Sequence, residues 1–363
     1  MNRSLSFYTL GLAGSLIFAY YSSMPKSDSG DDSVDWVNFP SDSVESVTLE
    51  SAKVNLSANA RSTGGFWIKM EQTVADAKTD SEHGGDEKAD LPSENPVDAA
   101  KPEGPEPAGK QVKIKEFKAG EGFNDLVSSF APLKAKRVIG DAKSLDTKEF
   151  GFDSEDVMNL KVKTKDGKEL KLKIGKKAYG SSNLFALDEE KGKVILVRGN
   201  RIEDLAKADQ RMYERNIFKA QQEDVKKARV TAGEKNLNLD HSVRDEHGNF
   251  SWKQDKEGAA AEKIYTNWMD KIWRLKLIEF ADVATNEQLN AAATIFELSF
   301  FDEHKEIEKI VLKKIVVPGE AGQPNKINYW IKTDFLGSFA KIDLNKAEAI
   351  EKDLPSLLAA VTE

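Results

Sequence analysis

Cysteine is absent from all 363 residues. Its absence excludes disulfides, thiolate zinc sites, iron–sulfur clusters and a cysteine nucleophile. Histidine is scarce, limited to His83, His241, His247 and His304. Nor is base in excess: 53 Lys and Arg stand against 61 Asp and Glu, for a net charge of -8. Nucleic-acid binding normally leaves a basic footprint, so no nucleic-acid partner is expected. What is present is a 39% hydrophobic fraction, enough for a core. The length suggests two domains, or one large domain with additions.

Charge is also missing locally. Between Arg3 and Lys26 lie 22 uncharged residues, centred on the apolar run 7–21. As a helix the uncharged stretch spans about 33 Å, enough for a bilayer core of about 30 Å. The run ends in Phe18-Ala19-Tyr20-Tyr21-Ser22-Ser23. Two tyrosines suit a membrane–water interface better than a signal-peptide cleavage site, which needs small residues. A cleaved signal peptide and a buried globular helix are the competing readings. Arg3 precedes the run, while Asp28, Asp31, Asp32 and Asp35 follow it. The positive-inside tendency then keeps the N-terminus in the cytoplasm. The sequence therefore predicts a single-pass protein of the cytoplasmic (inner) membrane, anchored through residues 1–24, with its body in the periplasm or outside.

Residues 25–42, rich in Ser and Asp, read as a solvated spacer. Residues 75–110 hold Pro92, Pro96, Pro102, Pro105 and Pro107, and no aromatic residue occurs between Trp67 and Phe117. That composition predicts a disordered Pro/acid-rich insert. The rest reads as two related repeats, 43–210 and 211–363. In the first, strands at 44–49 and 65–69 precede a helix marked by Phe123, Leu126, Val127 and Phe130 at i, i+3, i+4, i+7. Leu160-x-Val162-x-Thr164 and Leu170-x-Leu172-x-Ile174 then alternate across Asp166-Gly167, a strong hairpin signal. Strands at 184–187 and 194–197 and a short helix near 202–205 complete the unit. The second repeat follows the same order. Strands at 228–231 and 249–253 lead to a helix carrying Ile264, Trp268, Met269 and Ile272. Strands at 296–300, 307–317, 329–331 and 339–342 and a helix over 347–358 follow. The fold class expected is α+β: an N-terminal transmembrane helix, then two related repeats, each with antiparallel β-hairpins packed against a helix. The shared order suggests an old duplication.

These residues resemble a known family. The Gly65-Phe66-Trp67 and Phe250-Ser251-Trp252 strands point to domain-of-unknown-function family 4340, as does the Asp166-Gly167 hairpin. So do Phe150-Gly151-Phe152, Ile174-Gly175 and Tyr179-Gly180 within residues 145–197. The resemblance covers most of 43–345. It implies an exported, often N-terminally anchored protein, similar to those encoded beside gliding-motility-type ABC transporters. It carries no assigned catalytic residues.

Candidate sites are few. Asp240-His241-x-x-x-Asp245-Glu246-His247 has metal-ligand residue types, but its polar, turn-like setting reads as a solvated loop. His83 falls in the insert, and His304 sits in Asp302-Glu303-His304 at a hairpin tip. Gly175-Lys176-Lys177-Ala178-Tyr179-Gly180-Ser181-Ser182 lacks the lysine after its second glycine and the following helix of a phosphate loop. Ser23-x-x-Lys26 lies in the spacer and is rejected as a serine–lysine pair. The alternating Lys161, Lys163, Lys165, Lys171 and Lys173 place a basic row on one sheet face, interrupted by Glu169. That row reads either as a surface for an acidic partner, lipid headgroup or anionic glycan, or as the solvated face of a half-buried sheet. Trp67, Trp252, Trp268 and Trp273 read as core packing. No catalytic, cofactor-binding or metal residue is assigned, and no cofactor is expected. The function expected is non-enzymatic, an accessory or scaffold component of an envelope ABC-transporter or motility-associated complex. Its partners would be the membrane, transporter permease or other envelope proteins. The alternative is an envelope polysaccharide- or peptidoglycan-binding or hydrolysing protein.

Overall fold

The computed structural model describes residues 33–62, 64–74, 111–244, 250–257, 259, 262–319 and 323–359. The first part of the chain forms β1 (Val34–Val37), β2 (Val44–Glu50), β3 (Val54–Ala60), β4 (Phe66–Val74) and β5 (Gln111–Lys118). Helix α1 (Glu121–Phe130) follows, then β6 (Leu133–Ala135), β7 (Arg137–Asp141), β8 (Met158–Thr164), β9 (Glu169–Lys177), β10 (Asn183–Asp188) and β11 (Lys193–Arg198). Short helices α2 (Gly199–Leu205) and α3 (Ala208–Arg211) close this part. Nine strands form one antiparallel sheet in the order β5-β4-β3-β2-β8-β9-β10-β11-β7, while β1 and β6 pair separately.

The second part comprises β12 (Lys227–Ala232), β13 (Lys235–Arg244), β14 (Phe250–Gln254), α4 (Lys263–Trp273), β15 (Leu277–Phe280) and α5 (Val283–Ala291). It continues with β16 (Thr294–Phe301), β17 (Glu306–Val317), β18 (Lys326–Thr333), β19 (Ala340–Ile342) and α6 (Leu344–Ala359). Its eight-stranded sheet runs β14-β13-β12-β16-β17-β18-β19-β15. Apart from the additional β5, the two large sheets share one strand order, a meander of three joined to a meander of four with one edge strand returning.

Period-2 alternation produces these sheets, because successive side chains point to opposite faces. In β8, Leu160 and Val162 are buried while Lys161 and Lys163 are half-buried on the other face. Gly167 closes the β8–β9 turn at φ 84°, a conformation that side-chain-bearing residues rarely adopt. Helix α1 buries Phe123, Leu126, Val127 and Phe130, the stripe its spacing predicts. Helix α4 buries Tyr265, Trp268, Met269 and Ile272, while Ile264, expected in its stripe, is only half-buried. Burial of one such large apolar side chain contributes about 1.5–3 kcal/mol.

The inner faces of both sheets belong to one continuous hydrophobic core. The junction lies at β5, whose Lys115 bridges to Asp282 just past β15. Phe117 of β5 stacks on Phe280 of β15 with ring centroids 5.7 Å apart. Farther along, Lys118 places its ammonium 3.1 Å from the Phe335 ring centroid. The backbone N–H of Phe335 donates to buried Glu308, which also accepts from the N–H of Lys219.

Several expectations are corrected here. The α+β class is replaced by a mostly β architecture of three antiparallel sheets. Among the described residues no helix is long and apolar enough to cross a membrane. The anchor assigned to residues 1–24 lies outside the described residues, as does most of the 25–42 spacer. The transmembrane helix and the single-pass inner-membrane localisation are accordingly withdrawn. The insert at 75–110 is also outside the described residues; its flanking residues Val74 and Gln111 pair directly in the β4–β5 ladder. Strands β3 and β13 went unread because Asn and Ser occupy their solvent positions and lower their strand signal.

Candidate interaction surface

Lys161, Lys163, Lys171 and Lys173 lie where alternation predicts, on the outer face of the first sheet, whereas Lys165 falls in the β8–β9 turn. Lys161 Nζ and Lys171 Nζ each reach a separate oxygen of Glu169 at 2.8 Å. Lys163 Nζ meets Glu45 at 2.8 Å, and Lys165 Nζ donates to the Asp42 carbonyl at 2.8 Å. Hydrogen bonds from Lys161 and Lys171 hold the Glu169 carboxyl down at about 2. Hydrogen bonds to Glu45 and Glu169 raise Lys163 and Lys171 above the ordinary lysine value. The acid that interrupts the row in sequence therefore bridges Lys161 and Lys171 and lowers the charge at the centre of the face.

Beside this face lies an open cleft of about 620 Å³, lined by Trp36, Lys168, Glu169, Lys171, Glu190 and Lys191 among others. The Trp36 indole N–H donates to Asp188, which is 3% exposed, at 2.8 Å. The Lys191 ammonium stands 4.2 Å from the Trp36 ring centroid and donates to the Trp36 carbonyl at 2.6 Å. The indole is thus committed to holding β1 against the sheet. One of its faces is covered by the cation, which leaves little surface for a stacking sugar.

The Phe150-Gly151-Phe152 step forms a plug on the same outer face. Phe150 meets Phe185 edge-on at 4.8 Å, and Phe152 is buried. Gly151 adopts φ 77°. Gly175 in β9 is required for close approach, because a Cβ there would stand 2.1 Å from the Phe150 carbonyl oxygen. Four of the residues that carry the family resemblance, Phe150, Gly151, Phe152 and Gly175, thus serve to dock an aromatic step on a strand.

The remaining candidates separate. His247, Asp245 and Glu246 lie outside the described residues, as do His83, Ser23 and Lys26. His241 is buried, stacks on Trp252 at 4.3 Å and shares a 2.9 Å hydrogen bond with the Val225 carbonyl. Burial lowers its pKa below the ordinary histidine value. Asp240, the adjacent strand residue, faces the opposite side of β13. No group of three or more His, Asp or Glu suited to hold a metal occurs among the described residues. His304 sits in an exposed turn whose backbone N–H donates to Asp302. Residues 175–182 run from β9 through a turn into β10. Trp252 and Trp268 are buried, and Trp273 stacks on Phe300 at 4.9 Å. Trp67, at the sheet-one position matching Trp252, packs on the backbone of Gly337 in the other half. Tyr179, which the sequence marks only as part of a motif, is fully exposed. The available signal was a lone aromatic in the polar turn Tyr179-Gly180-Ser181-Ser182.

Fold and surface together define a tandem antiparallel β-sheet protein with an open outer face. The family model described as Domain of unknown function (DUF4340) matches residues 118–294, and the chain is similar to that family over this stretch. The match is narrower than the 43–345 read from the sequence. It runs from the end of β5 through β6–β11 of the first part and β12–β15 of the second to the first residue of β16, leaving β1–β4 outside. Comparison with curated proteins and with solved structures gives no match.

Proposed function

We propose that the protein is a non-enzymatic interaction module, an accessory or scaffold component of an ABC-transporter or motility-associated complex. The transporter association comes from the family resemblance. The non-enzymatic reading is supported chiefly by the aromatic plug: Phe150, Gly151, Phe152 and Gly175, four of the residues on which the resemblance was read, pack against one another. The lysine face gives further support, since its carboxylates are held as ion-pair partners rather than poised for proton transfer. The common strand order of the two sheets supports a duplicated unit, with the halves meeting near residue 210.

Mild crosslinking followed by affinity purification of the full chain tests this reading. Recovery of transporter permease or ATPase subunits is expected. Their absence, together with binding or cleavage of cell-wall glycan by the purified chain, would overturn it.

A further inference from the structure

We propose that the end of the first sheet around Tyr179 is the docking site for an acidic segment of a partner protein. This inference rests on the interaction-module reading and names its contact surface.

Tyr179 is fully exposed on a turn that is nevertheless firmly held. The N–H of Ala178 donates to the Asn183 carbonyl at 2.9 Å, and the Ser181 hydroxyl accepts from the N–H of Asn183 at 3.1 Å. The N–H of Gly199, at the start of α2, donates to the Ser182 carbonyl at 3.1 Å. A Cβ at Gly199 would stand 2.4 Å from that oxygen, so α2 is seated tightly against the turn. A rigid element that displays a tyrosine gives up little conformational entropy when the ring is covered, which favours its use as an anchor.

The surroundings are basic. Lys177 lies opposite Leu184, and Arg198 opposite Asn183, in adjoining strand pairs. Lys176 precedes them and Arg201 follows in α2, and all four cations are exposed. Lys177 is paired with Glu203 at 3.3 Å. Lys176, Arg198 and Arg201 form no ion pair among the described residues. The contrast with the lysine row on the same sheet is direct, since Lys163 is paired with Glu45 and Lys161 and Lys171 share the Glu169 carboxylate. An uncompensated basic cluster on a chain of net charge -8 attracts acidic partners locally and discourages self-association through like charge elsewhere. Tyrosine and arginine are also the residue types that dominate interface energetics.

The test replaces Tyr179 with the photocrosslinker p-benzoylphenylalanine in the full chain, in cells that naturally contain it. The expected result is a discrete adduct whose crosslinked peptide is rich in Asp and Glu. Its yield should fall at least about tenfold in the Arg198→Glu/Arg201→Glu background and in raised salt, consistent with screening over about 10 Å or less. Melting curves of the charge-reversed chain should match the parent, since every altered side chain is exposed. No adduct, an adduct on a non-acidic peptide, or a yield indifferent to charge reversal would overturn the proposal. Failure here with transporter subunits still recovered by Tyr179→Ala would reject the docking site and leave the scaffold reading standing. Failure of both would reject the scaffold reading as well.

Discussion

The two large sheets share a strand order but cover their outer faces differently. Between β7 and β8 the first sheet inserts short turns and the Phe150-Gly151-Phe152 plug. Between β15 and β16 the second inserts a helix, α5, whose Leu289 packs with Ala281, Trp330 and Phe339. The plug needs a glycine in β9 to let a carbonyl approach. The corresponding end of β17 instead carries Lys313, which is buried and donates to the carbonyls of Leu289, Asn290 and Ala292 at the C-terminal end of α5. Its ammonium satisfies otherwise orphaned helix carbonyls and complements the negative end of the dipole. One topological slot thus accepts two coverings, each secured by a different backbone-directed device. The small plug leaves the first face broadly open, whereas the helix shields part of the second.

The covering of the first sheet is most sensitive to substitution at the plug. Gly175→Ala forces an atom to within 2.1 Å of the Phe150 carbonyl. It should cost about 3 kcal/mol by denaturant unfolding, with new protease cleavage confined to residues 142–157. On the second sheet, Leu289→Ala should cost about 2–3 kcal/mol and leave residues 142–157 resistant. Lys313→Met should cost about 2 kcal/mol by unmaking the helix cap, read as faster amide exchange across 283–292. If these lesions spread equally to both coverings, the two slots are not independent.

A smaller, pH-dependent difference is expected at His241. Burial depresses its folded-state pKa below the unfolded value of about 6.5, so unfolding takes up a proton in the acidic window. Its contribution to stability is fully present above about pH 6.5 and is lost as pH falls through the folded pKa. His241→Phe should flatten the corresponding slope in a plot of stability against pH. An unchanged slope would assign it to another group. The smallest effect is expected at Glu169→Gln. That change frees Lys161 and Lys171 and should advance elution from an anion exchanger at neutral pH without shifting the melting curve. Unchanged retention would mean that the lysine face was not neutralised by this carboxylate.

Much of this organisation was legible where a single rule dominated. The alternation of β8 and β9 and the stripe of α1 translate directly into burial, the Asp166-Gly167 turn forms where expected, and α4 buries Trp268, Met269 and Ile272 but takes Tyr265 in place of Ile264. The strands β3 and β13 escaped together, because Asn55, Ser57 and Asn59, like Asn236 and Asn238, place polar turn-forming residues in strand interiors that only neighbouring strands justify. The slot coverings escaped for another reason. Residues 142–157 and 283–291 lack strong periodicity and are held by long-range contacts such as Gly175 with Phe150, or Lys313 with the end of α5. Charge was legible as a row, but its cancellation was not: Glu45 and Lys163 are far apart in sequence and meet only through the β2–β8 pairing. The isolation of Lys176, Arg198 and Arg201 emerges from the same tertiary pairing and could not be counted along the chain.

The most direct measurement is hydrogen exchange across the first sheet, with the full chain free and bound to its crosslinking-identified partner. The account predicts that binding slows exchange at residues 176–183 and 198–202 and leaves the plugged, ion-paired face around 161–173 unchanged. Protection centred on the 161–173 face, or on the Trp36 cleft, with none around Tyr179, would contradict it.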